Sequence, residues 1–296
     1  MHSCRSLGIK REKKNMEFRV FLPRLTSEEL RSTSLHSSYE AILSSIIVGL
    51  ESMNKLATEK REDTYLVGGC HFGVKYRAGK KLEVKVRRKK LELNIEHWKK
   101  VKLGKKKLSH YKNEILALLE SDSDQRLPED AQLITAEIFL TVEKSRKTQL
   151  FGEVSRELCF ISTSISSRLW ISFAIEGSLD DIRHFLMVEK ESNSDASLIF
   201  EGLNLAVKLA KCDRNLLPVV AGYPTWVRVA SYNLRDNDEF NEILGSAESF
   251  LASVNFVSSL ASDGLISSSR QRSSQPDLPV SNISGDIYCF LRSCMK

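Results

Sequence analysis

Residues 61–87 read REDTYLVGGCHFGVKYRAGKKLEVKVR, and this stretch decides the fold that the sequence predicts. It contains three short segments in which residue types alternate, which is the pattern of β-strands. The second segment has cations at Lys75 and Arg77, and the third has them at Lys85 and Arg87. Because residues i and i+2 of a strand point the same way, each pair lies on one face, and the neighbouring valines lie on the other.

Two adjacent strands of this kind would place four cations on one face of a sheet. Such a face repels itself unless something anionic lies against it, and Arg and Lys bind phosphate oxygens well. The pattern therefore predicts a phosphate-rich ligand. Two alternatives stay open: the cations could face water on a half-buried sheet, and Glu83, in the register of Lys85, could neutralise them.

The charge of the chain is concentrated in one block. The chain of 296 residues has a net charge of +6, and residues 75–107 contain 15 Lys and Arg against only Glu83, Glu92 and Glu96. A local excess of this size indicates a polyanionic partner. We expect a phosphorylated small molecule or a polyphosphate. A nucleic acid, bound by an RNA-binding module in this block, is the less favoured partner because the block has few aromatic residues to stack on bases.

Several classes of protein are disfavoured by what the sequence lacks. The six cysteines are scattered, with no CxxC, so neither a disulfide framework nor a zinc site is expected, and a reducing, cytoplasmic location is the default. Basic residues near the start leave a nuclear location as the alternative. No apolar run is long enough to span a bilayer, and no Walker, Rossmann or G-x-S-x-G motif is present.

The chain is expected to form one folded domain with two disordered ends. Residues 1–15 form a basic extension, residues 16–257 the domain, and residues 258–296 a Ser-rich tail. Residues 104–130 are expected to form a surface excursion. Strands are predicted at 17–22, within 61–103, and at 131–146, 153–162 and 168–176; helices are predicted at 39–56, from 178 and at 194–211. This order predicts an α+β class, with an antiparallel, strongly curved sheet or β-barrel of about eight strands and flanking helices.

Several strings in this order resemble a known family. They are DTYL at 63–66, GVKYRAG at 73–79, LEVK at 82–85, KSR at 144–146, a strand that ends at Glu176, and GYPTW at 222–226. Together, over residues 16–230, they resemble the CYTH superfamily, the triphosphate tunnel enzymes.

The resemblance implies an eight-stranded antiparallel tunnel with Lys, Arg and Glu inside. The implied phosphate-binding residues, called here the phosphate clamp, are Lys75, Arg77, Lys85, Arg87, Lys144 and Arg146. The implied ligands of Mg²⁺ or Mn²⁺ are Glu17 and Glu176, and the implied activity is that of a metal-dependent triphosphatase, a phosphohydrolase.

The first strand departs from the family's E-x-E-x-K signature. Glu17 keeps the first acid, but Arg19 and Phe21 replace the second acid and the lysine, and Ala174 stands two residues before Glu176. A site that has lost two carboxylates is expected to bind its metal weakly. The sequence therefore leaves open a catalytically inactive binding or scaffold protein, in which Glu17 pairs with Arg19 or another cation.

Overall fold

The structure is a computed structural model, and it describes residues 16–31, 33–51, 57–122, 129–151, 153–188, 195–231 and 237–262. The chain divides into a compact unit of residues 1–259 and a second unit of residues 260–296. The predicted basic extension at 1–15 lies outside the described residues, as does most of the predicted Ser-rich tail.

The described residues form nine strands and seven α-helices. The strands are β1 (Met16–Pro23), β2 (Ala57–Leu66), β3 (Phe72–Arg77), β4 (Lys81–Lys90), β5 (Glu96–Gly104), β6 (Phe139–Phe151), β7 (Val154–Thr163), β8 (Ser166–Gly177) and β9 (Val219–Val220). The helices are α1 (Ser34–Glu51), α2 (Leu108–Asp122), α3 (Glu129–Ala136), α4 (Leu179–Val188), α5 (Asp195–Ala210), α6 (Tyr223–Ser231) and α7 (Asn237–Ser262).

The strands form a closed barrel. Their order is β5-β4-β3-β2-β6-β7-β8-β1-β9, and an additional pairing of β1 with β5 closes the first eight into a ring. The closing pairs are Met16 with His97 and Glu17 with Glu96. The fold is thus a closed antiparallel eight-stranded barrel with flanking helices, which confirms the predicted α+β class.

The first strand changes partners along its length. Its beginning pairs with β5, whereas Val20 and Phe21 pair with the two-residue strand β9. Helix α6 begins directly after β9. The seam between β1 and β5 is therefore where the segment from Val219 onward joins the barrel wall.

Helices cover the apolar outer face of the barrel on two sides. Val74, Val84 and Val86 are fully buried in one cluster together with Leu108 and Ile115 of α2. A larger cluster covers the outer face of β1, where the ring of Phe18 lies 4.8 Å from that of Phe250 in α7. The valines that alternate with the clamp cations therefore face outward into this packing, which leaves the cations on the inward face.

Two predicted elements are wrong. The surface excursion predicted at 104–130 contains α2, whose residues Leu108, Tyr111, Ile115 and Leu119 are buried at helical spacing. The strand predicted from residue 131 begins only at Phe139, because Glu129–Ala136 is helix α3. In both segments the apolar residues recur at helical spacing, but the many charged and polar residues between them make the segment resemble a loop or a strand.

Two predicted boundaries also shift. Helix α1 begins at Ser34, five residues before the predicted start, and α7 continues to Ser262, past the predicted start of the Ser-rich tail at residue 258. The GYPTW string at 222–226 enters helix α6 at Tyr223. The helix predicted from residue 178 is confirmed as α4, and Ser178 caps it, because its Oγ accepts a hydrogen bond from the Asp181 amide at 3.2 Å.

None of the helices among the described residues combines the length and the apolar character needed to cross a membrane.

Candidate phosphate-binding site in the barrel interior

All six residues of the phosphate clamp lie on the inward face of the barrel, where five of them belong to one connected set of ion pairs. We call this set the interior network. It contains seven cations and five carboxylates, which gives a formal charge of +2. Its members are Arg19, Arg61, Lys75, Arg77, Lys85, Lys144, Arg146, Glu17, Glu59, Asp63, Glu83 and Glu157.

The sixth clamp residue, Arg87, forms a separate pair. Its Nη1 lies 2.9 Å from Glu96 Oε1, and Glu96 also accepts hydrogen bonds from Trp98 Nε1 at 3.2 Å and the Gly222 amide at 2.8 Å. Burial raises the pKa of Glu96 although Arg87 opposes the shift. The pair adds no net charge to the interior when both groups are ionised.

Asp63 is a centre of the network. Its carboxylate lies 3.1 Å from Arg61, 3.5 Å from Lys144 and 3.7 Å from Lys75. The side chain is fully buried, as is nearly all of Lys144. Strands β2, β3 and β6 are neighbours in the sheet, so one carboxylate can balance cations from all three.

Arg19 joins the other side of the network. Its Nε donates to Glu17 at 2.7 Å, and its Nη1 donates to Glu157 at 2.8 Å and to Ser172 at 2.9 Å. Arg146 also binds Glu157, at 2.9 Å. One arginine therefore spans the space between two buried carboxylates that come from β1 and β7.

Burial and like charges lower the pKa of two clamp lysines. Burial, which Arg61 and Lys85 reinforce, lowers the pKa of Lys75 to about 8, even though Asp63 and Glu83 oppose it. The pKa of Lys144 is lowered well below its usual value, again by burial and then by Lys75. Because burial is the largest cause of both shifts, an anionic ligand placed against these lysines would stabilise their charged forms.

The two predicted metal ligands lie opposite each other but are already engaged. Glu17 and Glu176 are partners in the β1–β8 register. Glu17 accepts from Arg19 through Oε1 and from Lys85 through Oε2 at 2.6 Å, while Glu176 lies 3.5 Å from Lys100. Burial alone would raise the pKa of Glu17, but Lys85 and Arg19 hold it far below its usual range.

Two interior carboxylates, Glu17 and Glu157, already accept hydrogen bonds from cations of the chain. Both oxygens of Glu17 and both oxygens of Glu157 are bonded to Arg or Lys, so a metal would have to displace charged donors that already satisfy them. No group of three or more His, Cys, Asp or Glu in the described part of the chain is arranged to hold a metal. The interpretation of Glu17 as a counter-ion, which the sequence left open, agrees with these contacts.

Aromatic rings lie against the innermost cations. The Lys144 ammonium lies 3.6 Å from the centre of the Tyr223 ring and 4.5 Å from that of Tyr65, to whose hydroxyl it also donates. The Arg19 guanidinium lies 4.6 Å from the centre of the Tyr223 ring. Helix α6 thus begins inside the barrel, where Tyr223 packs over the two most buried cations.

The sequence interpretation missed most of the acids in the network. Glu59, Asp63 and Glu157 were not proposed as interior carboxylates, and neither Arg61 nor Lys100 was proposed for the clamp. The signal was present in β2, because Glu59, Arg61 and Asp63 alternate as strictly as the clamp cations do. Glu83, which the sequence offers as a neutralising acid, lies 3.3 Å from Arg77 and 3.5 Å from Lys75.

Comparisons with known proteins give only distant structural likenesses. No protein-family model matches the chain, and none of the curated proteins matches its sequence. One similar solved structure is a conserved hypothetical protein from Pyrococcus furiosus, with 12% identity and a TM-score of 0.26 over 64% of this chain and 89% of that one. Another is the Pct1 RNA triphosphatase of S. pombe in complex with the Spt5 CTD, with 12% identity and a TM-score of 0.25 over 68% and 86%.

A third similar solved structure is that of a Bacillus halodurans protein provisionally called an adenylate cyclase. It has 11% identity and a TM-score of 0.25 over 57% of this chain and 83% of that one. At these values the likenesses carry no argument about the activity of this chain.

Proposed function

We propose that the barrel interior binds a phosphate-rich anion, with triphosphate or polyphosphate as the first ligand class, and that it does not hydrolyse this ligand. The observation that supports the proposal is the convergence of the clamp cations on one enclosed face, where five of them belong to a network with two more cations than carboxylates. An outward, solvated stripe of cations would need no such ligand.

The clamp cations are also accessible to a ligand to different degrees. The side chain of Lys144 is 1% exposed, that of Lys85 20%, that of Arg146 27% and that of Arg77 37%. A gradient of this kind lets a flexible chain of phosphates meet solvated cations first and buried ones later. Arg146 and Arg77 would offer planar, bidentate donors at the accessible part, and Lys75 and Lys85 would act as point charges that hold the inner phosphate groups.

Binding without hydrolysis follows from the carboxylates. Phosphoryl transfer to water needs neutralisation of the transferred group and a positioned nucleophile, and family members are expected to use glutamate-bound metal for this purpose. In this chain, Arg and Lys occupy both oxygens of Glu17 and of Glu157. The residues present thus favour holding a phosphate ligand over activating water against it.

The proposal is tested by calorimetric titration of tripolyphosphate into the protein, in a buffer that contains a metal chelator and at two salt concentrations. We expect saturable binding that weakens as salt rises, because the contacts are between charges. Arg146→Ala should weaken it by about tenfold or more, because it removes a hydrogen-bonded clamp charge. The matched control is Lys147→Ala, since Lys147 follows Arg146 on β6 and points to the opposite face.

Two results would contradict the proposal. Equal losses in the Arg146 and Lys147 variants would indicate nonspecific attraction to a basic protein. Steady release of orthophosphate from tripolyphosphate with Mg²⁺ or Mn²⁺ would favour the hydrolase hypothesis.

A further inference from the structure

We propose that Arg19 is a built-in cation of the phosphate site, in the position where a divalent metal would otherwise be needed. The phosphate ligand would then bind without metal, and Arg19 would be one of its direct contacts. This inference rests on the proposed function, because it names how the same interior site neutralises its ligand.

The placement of Arg19 is specified by three neighbouring strands. Arg19 pairs with Ala174 of β8, and Ala174 pairs in turn with Glu157 of β7. Because alanine has only a methyl group, it leaves the space through which the guanidinium of Arg19 reaches Glu157 at 2.8 Å. Ala174, which breaks the expected pair of acids, is thus the residue that makes room for the arginine.

The guanidinium is held in a fixed orientation. Glu17, Glu157 and Ser172 accept its hydrogen bonds at 2.7, 2.8 and 2.9 Å, and the Tyr223 ring packs against it. These three bonds use Nε and Nη1, and none of them uses Nη2. Nη2 is the nitrogen that we assign to the ligand, with each of its two hydrogens directed to a separate phosphate oxygen.

A fixed arginine does part of what a metal ion does. It places a full positive charge between two carboxylates without the reluctant dehydration that Mg²⁺ requires. It also holds Glu17 and Glu157 in place, because one cation satisfies an oxygen of each. Glu17 and Glu157 are then positioning residues for Arg19.

The decisive experiment uses the unmodified protein. Tripolyphosphate is titrated calorimetrically with a chelator and, separately, with excess Mg²⁺ at the same ionic strength. We expect affinity in the chelator to equal or exceed the affinity with Mg²⁺, which partly neutralises the ligand in solution. An affinity that rises by about tenfold or more with Mg²⁺ would overturn the role of Arg19 while leaving phosphate binding intact. Absence of binding in both conditions would refute the proposed function itself, and this inference with it.

A variant provides a second measurement. Arg19→Glu removes the cation and places a third carboxylate beside Glu17 and Glu157. We expect this variant to lose metal-free tripolyphosphate binding by at least about tenfold and to bind Mn²⁺ without phosphate, as detected by electron paramagnetic resonance. The matched control is Arg183→Glu, which changes the charge equally on helix α4, where Arg183 pairs with Glu92 and Asp180. Tight Mn²⁺ binding by the unmodified protein, or unchanged metal-free binding by Arg19→Glu, would overturn the proposal.

Discussion

Lys85 Nζ lies 2.6 Å from Glu17 Oε2, although β4 and β1 are separated by β5 in the sheet. The ion pair therefore reaches over the inner face of β5 and does not join directly paired strands. Glu17 holds a clamp lysine and Arg19 at the same time. Its contacts are those of a counter-ion, and this assignment separates the binding hypothesis from the hydrolase hypothesis.

Replacing Glu17 by glutamine should strengthen phosphate binding. The change removes one of five carboxylates from the interior network, so Lys85 becomes available to the ligand, while the amide oxygen of glutamine can still accept the Arg19 hydrogen bond. We expect the affinity for tripolyphosphate in a chelator to rise by roughly threefold to tenfold. If Glu17 is a metal ligand instead, the same variant should bind the ligand more weakly when Mg²⁺ is present, and titration in both conditions distinguishes the two.

Lowering the pH should destabilise the fold, because it protonates the carboxylate of Glu157. Burial alone would raise its pKa, but Arg19 and Arg146 lower it to about 2 from a usual value of 4.5. A carboxyl group with a lowered pKa stabilises the fold above its unfolded-state value and loses this effect as pH falls toward its folded-state value. The unfolding free energy of the natural protein, relative to Glu157→Gln, should therefore fall by about 3 kcal/mol between pH 6 and pH 2. Urea unfolding across this range measures it, and a constant difference would contradict the assigned pairing.

Raising the pH above neutrality should stabilise the fold through Lys75. Its folded-state pKa of about 8 lies below the usual 10.5, so the unfolded chain binds more protons between these values. The contribution of Lys75 to stability therefore rises with pH across this window. Relative to Lys75→Met, the natural protein should gain roughly 2 to 3 kcal/mol between pH 7.5 and pH 10.5. A difference that falls with rising pH would show that Lys75 is not held as a buried, incompletely neutralised cation.

The entry of helix α6 into the barrel depends on Gly222. A Cβ atom there would lie 2.8 Å from Glu96 Oε2 and 2.8 Å from Trp98 Cζ2. We expect Gly222→Ala to destabilise the protein by about 1 to 3 kcal/mol, because two packed side chains would have to move. Gly245→Ala in helix α7 is the control, since its Cβ meets nothing within 4 Å and should stabilise by about 0.5 to 1 kcal/mol. Thermal unfolding of both variants tests this, and equal effects would contradict the close packing at Gly222.

The shared face of each cation pair was predictable because strand alternation is a local property, whereas the placement of that face inside a barrel was implied by the family resemblance. Lys75 and Arg77, or Lys85 and Arg87, share a face whatever the rest of the chain does. The partners of these cations were less predictable, because Glu17 and Glu157 come from strands that are distant in sequence and meet the clamp only after the barrel closes. Helix α2 was missed for a different reason: its buried positions, such as Tyr111 and Ile115, are separated by charged and polar residues that resemble a loop.

A crystal structure of the protein with tripolyphosphate, grown in a chelator, tests the central claim most directly. The claim predicts ligand density inside the barrel, with phosphate oxygens within hydrogen-bonding distance of Lys75, Lys85 and Arg19. Density confined to the outer surface, for example at the exposed Lys105–Lys107 segment, or density inside the barrel that is held through a bound divalent cation, would contradict it.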